Sequence, residues 1–321
     1  MTAHEADLSR VRTVPIAGRS NRVEPALLAK LPGDDRSFAA FLDSLPDILA
    51  ARDLRKVIDH LVRAAERHRG VVAMLGGHVI KVGLGPLLAE LVGSGIITHV
   101  AMNGAAAIHD YELAAFGGTS EDVAAGLADG TFGMVEETGA EMNAAIVAAA
   151  DARAGLGEGI ATALADRDRL PGREASLLLA CRTHGVPVTV HPTIGADIIH
   201  QHPTFDGAAL GDTAARDFRR LAGSLPSIHD GGAVLNLGSA VTMPEVFLKA
   251  LTIARNLGEG RPHDFLAADF DMVRHYRPRV NVVERPTQAG GIGLQLTGHH
   301  EIMLPLLVWG VLEARSAGGT G

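Results

Sequence analysis

The chain has 321 residues, 47% hydrophobic and 21% charged, with a formal net charge of −8. That length suits one large domain or two smaller ones and buries a sizeable core. The negative balance and the lack of a long basic run argue against nucleic acid or an anionic membrane as main partner, and no apolar stretch is long enough to span a membrane.

One cysteine, Cys181, lies in the apolar helical run Ser176–Cys181 and reads as a buried thiol rather than a nucleophile. With no disulfide framework and a polar N-terminus unlike a signal peptide, a reducing cytoplasm is expected. Aromatics are only 4%, against 38 glycines and 15 histidines. Small residues permit close backbone approach, and histidines point to proton transfer, metal or a polar interface.

In chain order, residues 1–35 carry Pro15, Pro25 and Pro32 and little periodicity, which predicts an irregular arm suited to packing on another subunit. Apolar positions at helical spacing over 36–69 predict two helices divided at Pro46. Val71–Leu75 is a short buried strand, followed by Gly76-Gly77-His78, a helix over roughly 80–93, and a second strand over Ile96–Met102. Short links between strand, helix and strand are the mark of a parallel sheet. Asn103-Gly104-Ala105 then opens a small-residue helix carrying His109, Asp110 and Glu112. Residues 119–169 read as helical, with breaks at Gly130 and Gly155–Gly159. A helix over 174–184 leads to a strand at Val186–Val190, and the loop His191–Asp197 follows. A helix over 211–223, a strand at Ala233–Leu237, Gly238-Ser239-Ala240 and a helix near 244–257 come next. Strands are expected at Leu266–Phe270, Val280–Val283 and Ile292–Leu296, then the loop 298–301, a helix over 302–314 and a flexible tail at 316–321. Such alternation predicts an α/β, doubly wound, mostly parallel sheet with helices on both faces, which gathers the strand-end loops onto one ligand-binding edge.

At that edge, His109 and Glu112 share a helical face and suit joint handling of a proton, while Asp110 points elsewhere; all three are candidate catalytic groups. Gly76, Gly77 and His78 form no full dinucleotide fingerprint, yet the turn admits phosphate or ribose to a helix start. His191, His200 and His202 are either metal ligands or interface histidines. His299, His300 and Glu301 sit at a strand-to-helix turn and suit a site. Arg274, Arg277, Arg279 and Arg285 form either surface ion pairs or a carboxylate clamp.

Over roughly 70–314, the order of segments resembles the deoxyhypusine synthase-like NAD-binding superfamily. The motifs are Gly77-His78 to Ala107, Val186-Pro187-Val188 with Gly195-Ala196-Asp197-Ile198-Ile199, Leu235–Val241 and Glu301–Leu307. Asn103-Gly104-Ala105, His109–Glu112 and Phe116–Ser120 are similar to the archaeal-type, NAD-dependent ornithine cyclodeaminase domain. The resemblance implies a Rossmann-like fold and NAD held by Gly76, Gly77, His78, Asn103, Gly104, Ala105, Gly238 and Ser239. It also implies an amine or amino acid substrate oxidised to an imine, and a homo-oligomer, dimer or tetramer. Asp197, Glu301, His299, His300 and Arg277 are the candidate substrate-binding residues, and no residue is assigned to a metal. One departure stands out: where deoxyhypusine synthase has its imine-forming lysine this chain has Met243, with Lys249 further along the helix and Lys81 in another loop. The division expected is an arm and helices over 1–69, an NAD-binding-like α/β domain over 70–315 and the tail. The rival readings are a metal-dependent hydrolase or lyase using the histidine clusters, and a non-catalytic NAD-binding protein.

Overall fold

A computed structural model of the chain describes residues 3–258 and 260–318. Residues 3–35 hold short 3-10 turns and no buried residue. Two helices follow, α1 (Phe38–Ser44) and α2 (Leu49–Glu66). Then come β1 (Val71–Leu75), α3 (Gly77–Lys81), α4 (Gly85–Gly93), β2 (His99–Asn103) and α5 (Gly104–Phe116). The middle of the chain is helical: α6 (Val123–Asp129), α7 (Glu136–Asp151), α8 (Leu156–Ala165) and α9 (Leu177–His184). The second half runs β3 (Val188–His191), α10 (Gly207–Ser224), β4 (Ala233–Leu237), α11 (Thr242–Leu257) and β5 (Phe265–Asp271). A π-helix (Pro278–Glu284), the single turn α12 (Arg285–Thr287), β6 (Gly291–Thr297) and α13 (His300–Gly318) complete it.

The six strands form one sheet in the order β3-β2-β1-β4-β5-β6, and every pairing is parallel. The sheet is therefore wholly parallel, and its winding reverses between β1 and β4. Strands covered on both faces read as nearly continuous apolar runs, which is why Val-Val-Ala-Met-Leu and Ala-Val-Leu-Asn-Leu are buried throughout. Successive side chains then part to opposite faces. Val71, Ala73 and Leu75 join a core built with α2, α4, α5, α8, α9 and α13, while Val72 and Met74 join one built with α10 and α11.

Three expectations change. Val280–Val283 is not a strand. The place beside β5 is taken by β6, and the segment, with Pro278 at its start and Pro286 just beyond, winds as a π-helix that lays Val282 and Val283 against the α11 core. The helix expected over 80–93 is two helices, because Gly83 adopts φ +84° between them. Finally, α13 continues into the first residues of the expected tail, whereas residues 319–321 lie outside the described ones.

Candidate active site

All six strands run the same way, so the turns after β1, β2, β3, β4, β5 and β6 share one edge. The β2 turn is built locally: the Asn103 side chain accepts from the Ala106 amide at 2.9 Å and caps α5, and Gly117 at φ +79° ends that helix. Beyond it the chain folds back beside a half-open cavity of about 610 Å³, lined among others by Lys81, Ala105, His109, Glu112, Thr119 and Asp197.

His109 and Glu112 meet in that cavity, joined by a residue absent from the expected set. The His109 Nδ1 lies 2.8 Å from Thr119 Oγ1, and Thr119 donates to Glu112 Oε2 at 2.5 Å. Glu112 Oε1 accepts from Thr138 of α7 at 3.0 Å. Burial and the nearby Lys81 ammonium both push the His109 imidazole below its ordinary range. It is thus held neutral and able to take a proton.

Asp110 does not reach the cavity. One residue along a helix is a turn of about 100° away, and Asp110 is fully buried, accepting from Ser176 Oγ at 2.6 Å and from the Leu177 and Leu178 amides at 2.7 and 3.2 Å. It caps α9, and burial pushes its carboxyl up to about 6 against the pull of those hydrogen bonds.

Asp197 is in the cavity wall, packed on the first residue of α5. A Cβ on Gly104 would stand 1.9 Å from its Oδ2, which explains the glycine. That oxygen is buried with no hydrogen-bond partner, and burial raises the carboxyl to about 6. The Nε2 of His200, also buried and unpartnered, lies 3.9 Å away. A buried acceptor left unmade is costly, so this wall is suited to a donor brought by a ligand, such as an ammonium.

The other strand ends form a second cluster across α3. Gly76 approaches Gly238 so closely that a Cβ would stand 2.0 Å from the Gly238 carbonyl oxygen. Gly238, at φ +66°, lies in turn against His300 Nε2. The His300 ring faces His78, with centroids 5.6 Å apart, and both its nitrogens are buried without a partner. Ser239 is buried and accepts from the Met243 amide at 3.1 Å. Buried polar groups are ordinarily hydrogen-bonded, so an unpaired imidazole beside glycines at the β1–β4 reversal fits a polar ligand such as a dinucleotide. The two clusters share α3: His109 Cδ2 lies 3.3 Å from the place of a Cβ on Gly77, and the next residue is His78.

His299, Glu301 and Arg277 are not brought to the cavity. His299 and Glu301 lie 3.7 Å from each other in solvent, and Arg277 pairs with Glu245 at 3.2 Å beside the π-helix. The other arginines of that stretch are likewise partnered: Arg274 with Thr297, Arg279 with Glu284 and Arg285 with Asn281. Nor do His191 and His202 converge on a common point. His191 shares the Thr189 hydroxyl with buried His99, and His202 bonds Thr204. Among the described residues no three His, Cys, Asp or Glu side chains form a metal-holding group. Cys181 is buried, and burial pushes its thiol up, as expected of a structural thiol. Met243, at the position where the imine-forming lysine is absent, is buried in the α11 core; of the two lysines named beside it, Lys249 is paired with Glu245 in solvent and Lys81 lines the cavity. Nothing in local spacing singled out Thr119 or Thr138, which lie on a loop and on a different helix from their partner.

No family model and no curated protein matches the sequence. Solved structures do resemble it. A conserved LOR/SDH protein from Methanococcus maripaludis S2 is 16% identical with a TM-score of 0.50, covering 84% of this chain and 71% of that one. A protein described as a deoxyhypusine synthase, from Entamoeba histolytica, is 11% identical with a TM-score of 0.52, covering 89% and 98%. AgrE, in a ternary complex with ornithine and NAD+, is 14% identical with a TM-score of 0.51. There 83% of this chain matches 33% of AgrE, so this chain spans a third of that protein's length. At these identities the likeness is one of fold, and the fold is Rossmann-like and deoxyhypusine synthase-like. Among the described residues no helix is long and apolar enough to cross a membrane.

Proposed function

We propose that the chain is an NAD-dependent enzyme that oxidises the amine of an amino acid or related small amine to an imine. The observation that carries this is the row His109–Thr119–Glu112–Thr138 in the wall of a half-open cavity, with the unpaired Asp197 Oδ2 packed at the start of α5. The AgrE complex with ornithine and NAD+ supports it at the level of fold.

On this reading Gly76, Gly77, His78, Gly238, Ser239 and His300 hold the dinucleotide, whose nicotinamide supplies a hydride acceptor. Asp197 binds the substrate ammonium, gaining the donor its buried oxygen lacks. Lys81, at the cavity wall, is placed to meet a substrate carboxylate. His109 takes the proton released as the amine is made ready to lose hydride, because its imidazole is held neutral. Release of ammonia, cyclisation or transfer to a second amine then depends on what the substrate carries.

The test is fluorescence titration with NADH, followed by turnover assays on basic amino acids and diamines. Binding is expected, and His109→Gln is expected to lower turnover by about 10²- to 10⁴-fold, the usual contribution of a general base. A protein that binds no NAD(H), or a variant with undiminished turnover, would remove the proposal.

A further inference from the structure

We propose that Thr119 is a positioning residue that fixes His109 in the Nδ1–H tautomer and couples it to Glu112, so that Nε2 is the proton acceptor. This rests on His109 as the base of the proposed reaction, but the tautomer itself can be read without any turnover.

The direction of each hydrogen bond follows from the inventory of protons. A threonine hydroxyl has one proton to give, and a carboxylate only accepts. Thr119 lies 2.5 Å from Glu112 Oε2, so its proton is committed there. Its contact with His109 Nδ1 at 2.8 Å must then be the imidazole donating. The other carboxylate oxygen is taken by Thr138, so Glu112 is fixed by hydroxyls from two separate elements. With Nδ1 carrying the hydrogen, the neutral ring keeps its lone pair on Nε2. That nitrogen is bonded to Cδ2, the atom that borders Gly77.

The loop holds Thr119 at a cost. It leaves α5 through Gly117 at φ +79°, and Ser120, immediately after Thr119, adopts φ +69° without being glycine. Left-handed backbone at a non-glycine residue is sparsely populated and tends to persist where the surroundings over-determine it. Here the surroundings include the two bonds made by Thr119.

In the step so arranged, an N–H bond of the substrate ammonium breaks and its proton forms a bond to His109 Nε2. The Nδ1–H bond stays intact, donating to Thr119, and no proton passes to Glu112. The imidazolium that results lies one hydroxyl away from a carboxylate, which favours its charge.

The test uses the full chain labelled with ¹⁵N-histidine, with the His109 signals identified by their loss in His109→Gln. Near neutral pH the wild type is expected to show a protonated Nδ1 and an unprotonated Nε2. Thr119→Ser should keep that pattern and most of the turnover. Thr119→Val should move the ring toward the Nε2–H form and lower kcat by about 10- to 100-fold, the scale of one or two lost hydrogen bonds, with KM little changed. Thr119→Ala gives the same reading if the valine variant misfolds by circular dichroism. A wild-type ring protonated on Nε2, or a tautomer indifferent to the loss of the hydroxyl, would overturn the assignment. The expected tautomers in a protein that turns over no amine would leave the positioning intact and remove the reaction.

Discussion

A carboxylate that buries one oxygen without a hydrogen-bond partner is costly, and Asp197 beside the candidate site is such a group. Asp197 keeps only 7% of its side chain exposed, and its Oδ2 makes no hydrogen bond. Its folded value of about 6 lies above the ordinary 3.8, so the fold holds the proton more tightly than the unfolded chain does. Stability from this group is therefore full below about pH 4 and is lost as pH rises through about 6, by roughly 3 kcal/mol at one pKa unit per 1.36 kcal/mol. Asp197→Asn should remove that component, leaving the variant more stable than wild type at neutral pH by about 1–3 kcal/mol in urea unfolding. Equal stability at neutral pH would show that the carboxylate is solvated or paired. Asp110 and Asp217, raised to about 6 and about 7 by the same desolvation, add slopes of the same sign that the variant would retain. They differ in being hydrogen-bonded: Asp110 caps α9, and Asp217 accepts from Gly157 and Val190 at 2.8 Å each.

Among the elements, α5 links sheet and cavity, and its first residue has no spare room. Gly104→Ala would drive a Cβ into the Asp197 carboxylate, and crowding of this kind costs about 1–3 kcal/mol. Asp197→Gly should relieve it, so the double variant should unfold at a higher urea concentration than Gly104→Ala alone. Additive losses would place the strain in the backbone instead. This helix was also the element most legible in the sequence: an apolar strand, Asn-Gly and a run of small residues specify cap and helix together. Its spacing put His109 and Glu112 on one face and Asp110 off it. Thr119 and Thr138 were not legible, because their partnership with Glu112 exists only once a loop and a distant helix close over α5. Val280–Val283 misled for a related reason. A β-branched run has strand propensity, but whether it joins a sheet depends on a vacant neighbouring strand position, and β6 fills it.

For the molecule as a whole, the alternation of apolar runs with helical spacing was enough to read a doubly wound parallel sheet whose strand-end turns share one edge. The glycines after β1 and β4 do stand at turns on the shared strand-end edge, where Gly76 and Gly238 meet. What they did was not legible: Gly76, Gly104 and Gly238 make room for the protein's own carbonyl, carboxylate and imidazole. Which loops share a cavity was equally hidden. The His299, Glu301 and Arg277 positions follow strand ends yet face solvent or other partners, since an edge six strands wide is too broad for all its turns to meet in one cavity.

The cavity wall has a further consequence, for the order in which ligands arrive. From Val82 to Ala152 the chain contains no lysine or arginine, and this stretch supplies most of the wall, including Glu112, Glu121 and Glu137. With Asp197 as a further carboxylate and Lys81 as the one ammonium in the wall, negative charge predominates, and such a cleft attracts opposite charge over a Debye length and repels its own. A cationic amine should therefore be drawn in faster at low salt, whereas a pyrophosphate would be slowed by the same field. Stopped-flow association rates should fall with added salt for the amine and rise, or stay level, for NADH. Parallel salt dependence for the two would mean that they enter through one field, and opposite dependence that the molecule sorts them by charge before any contact is made.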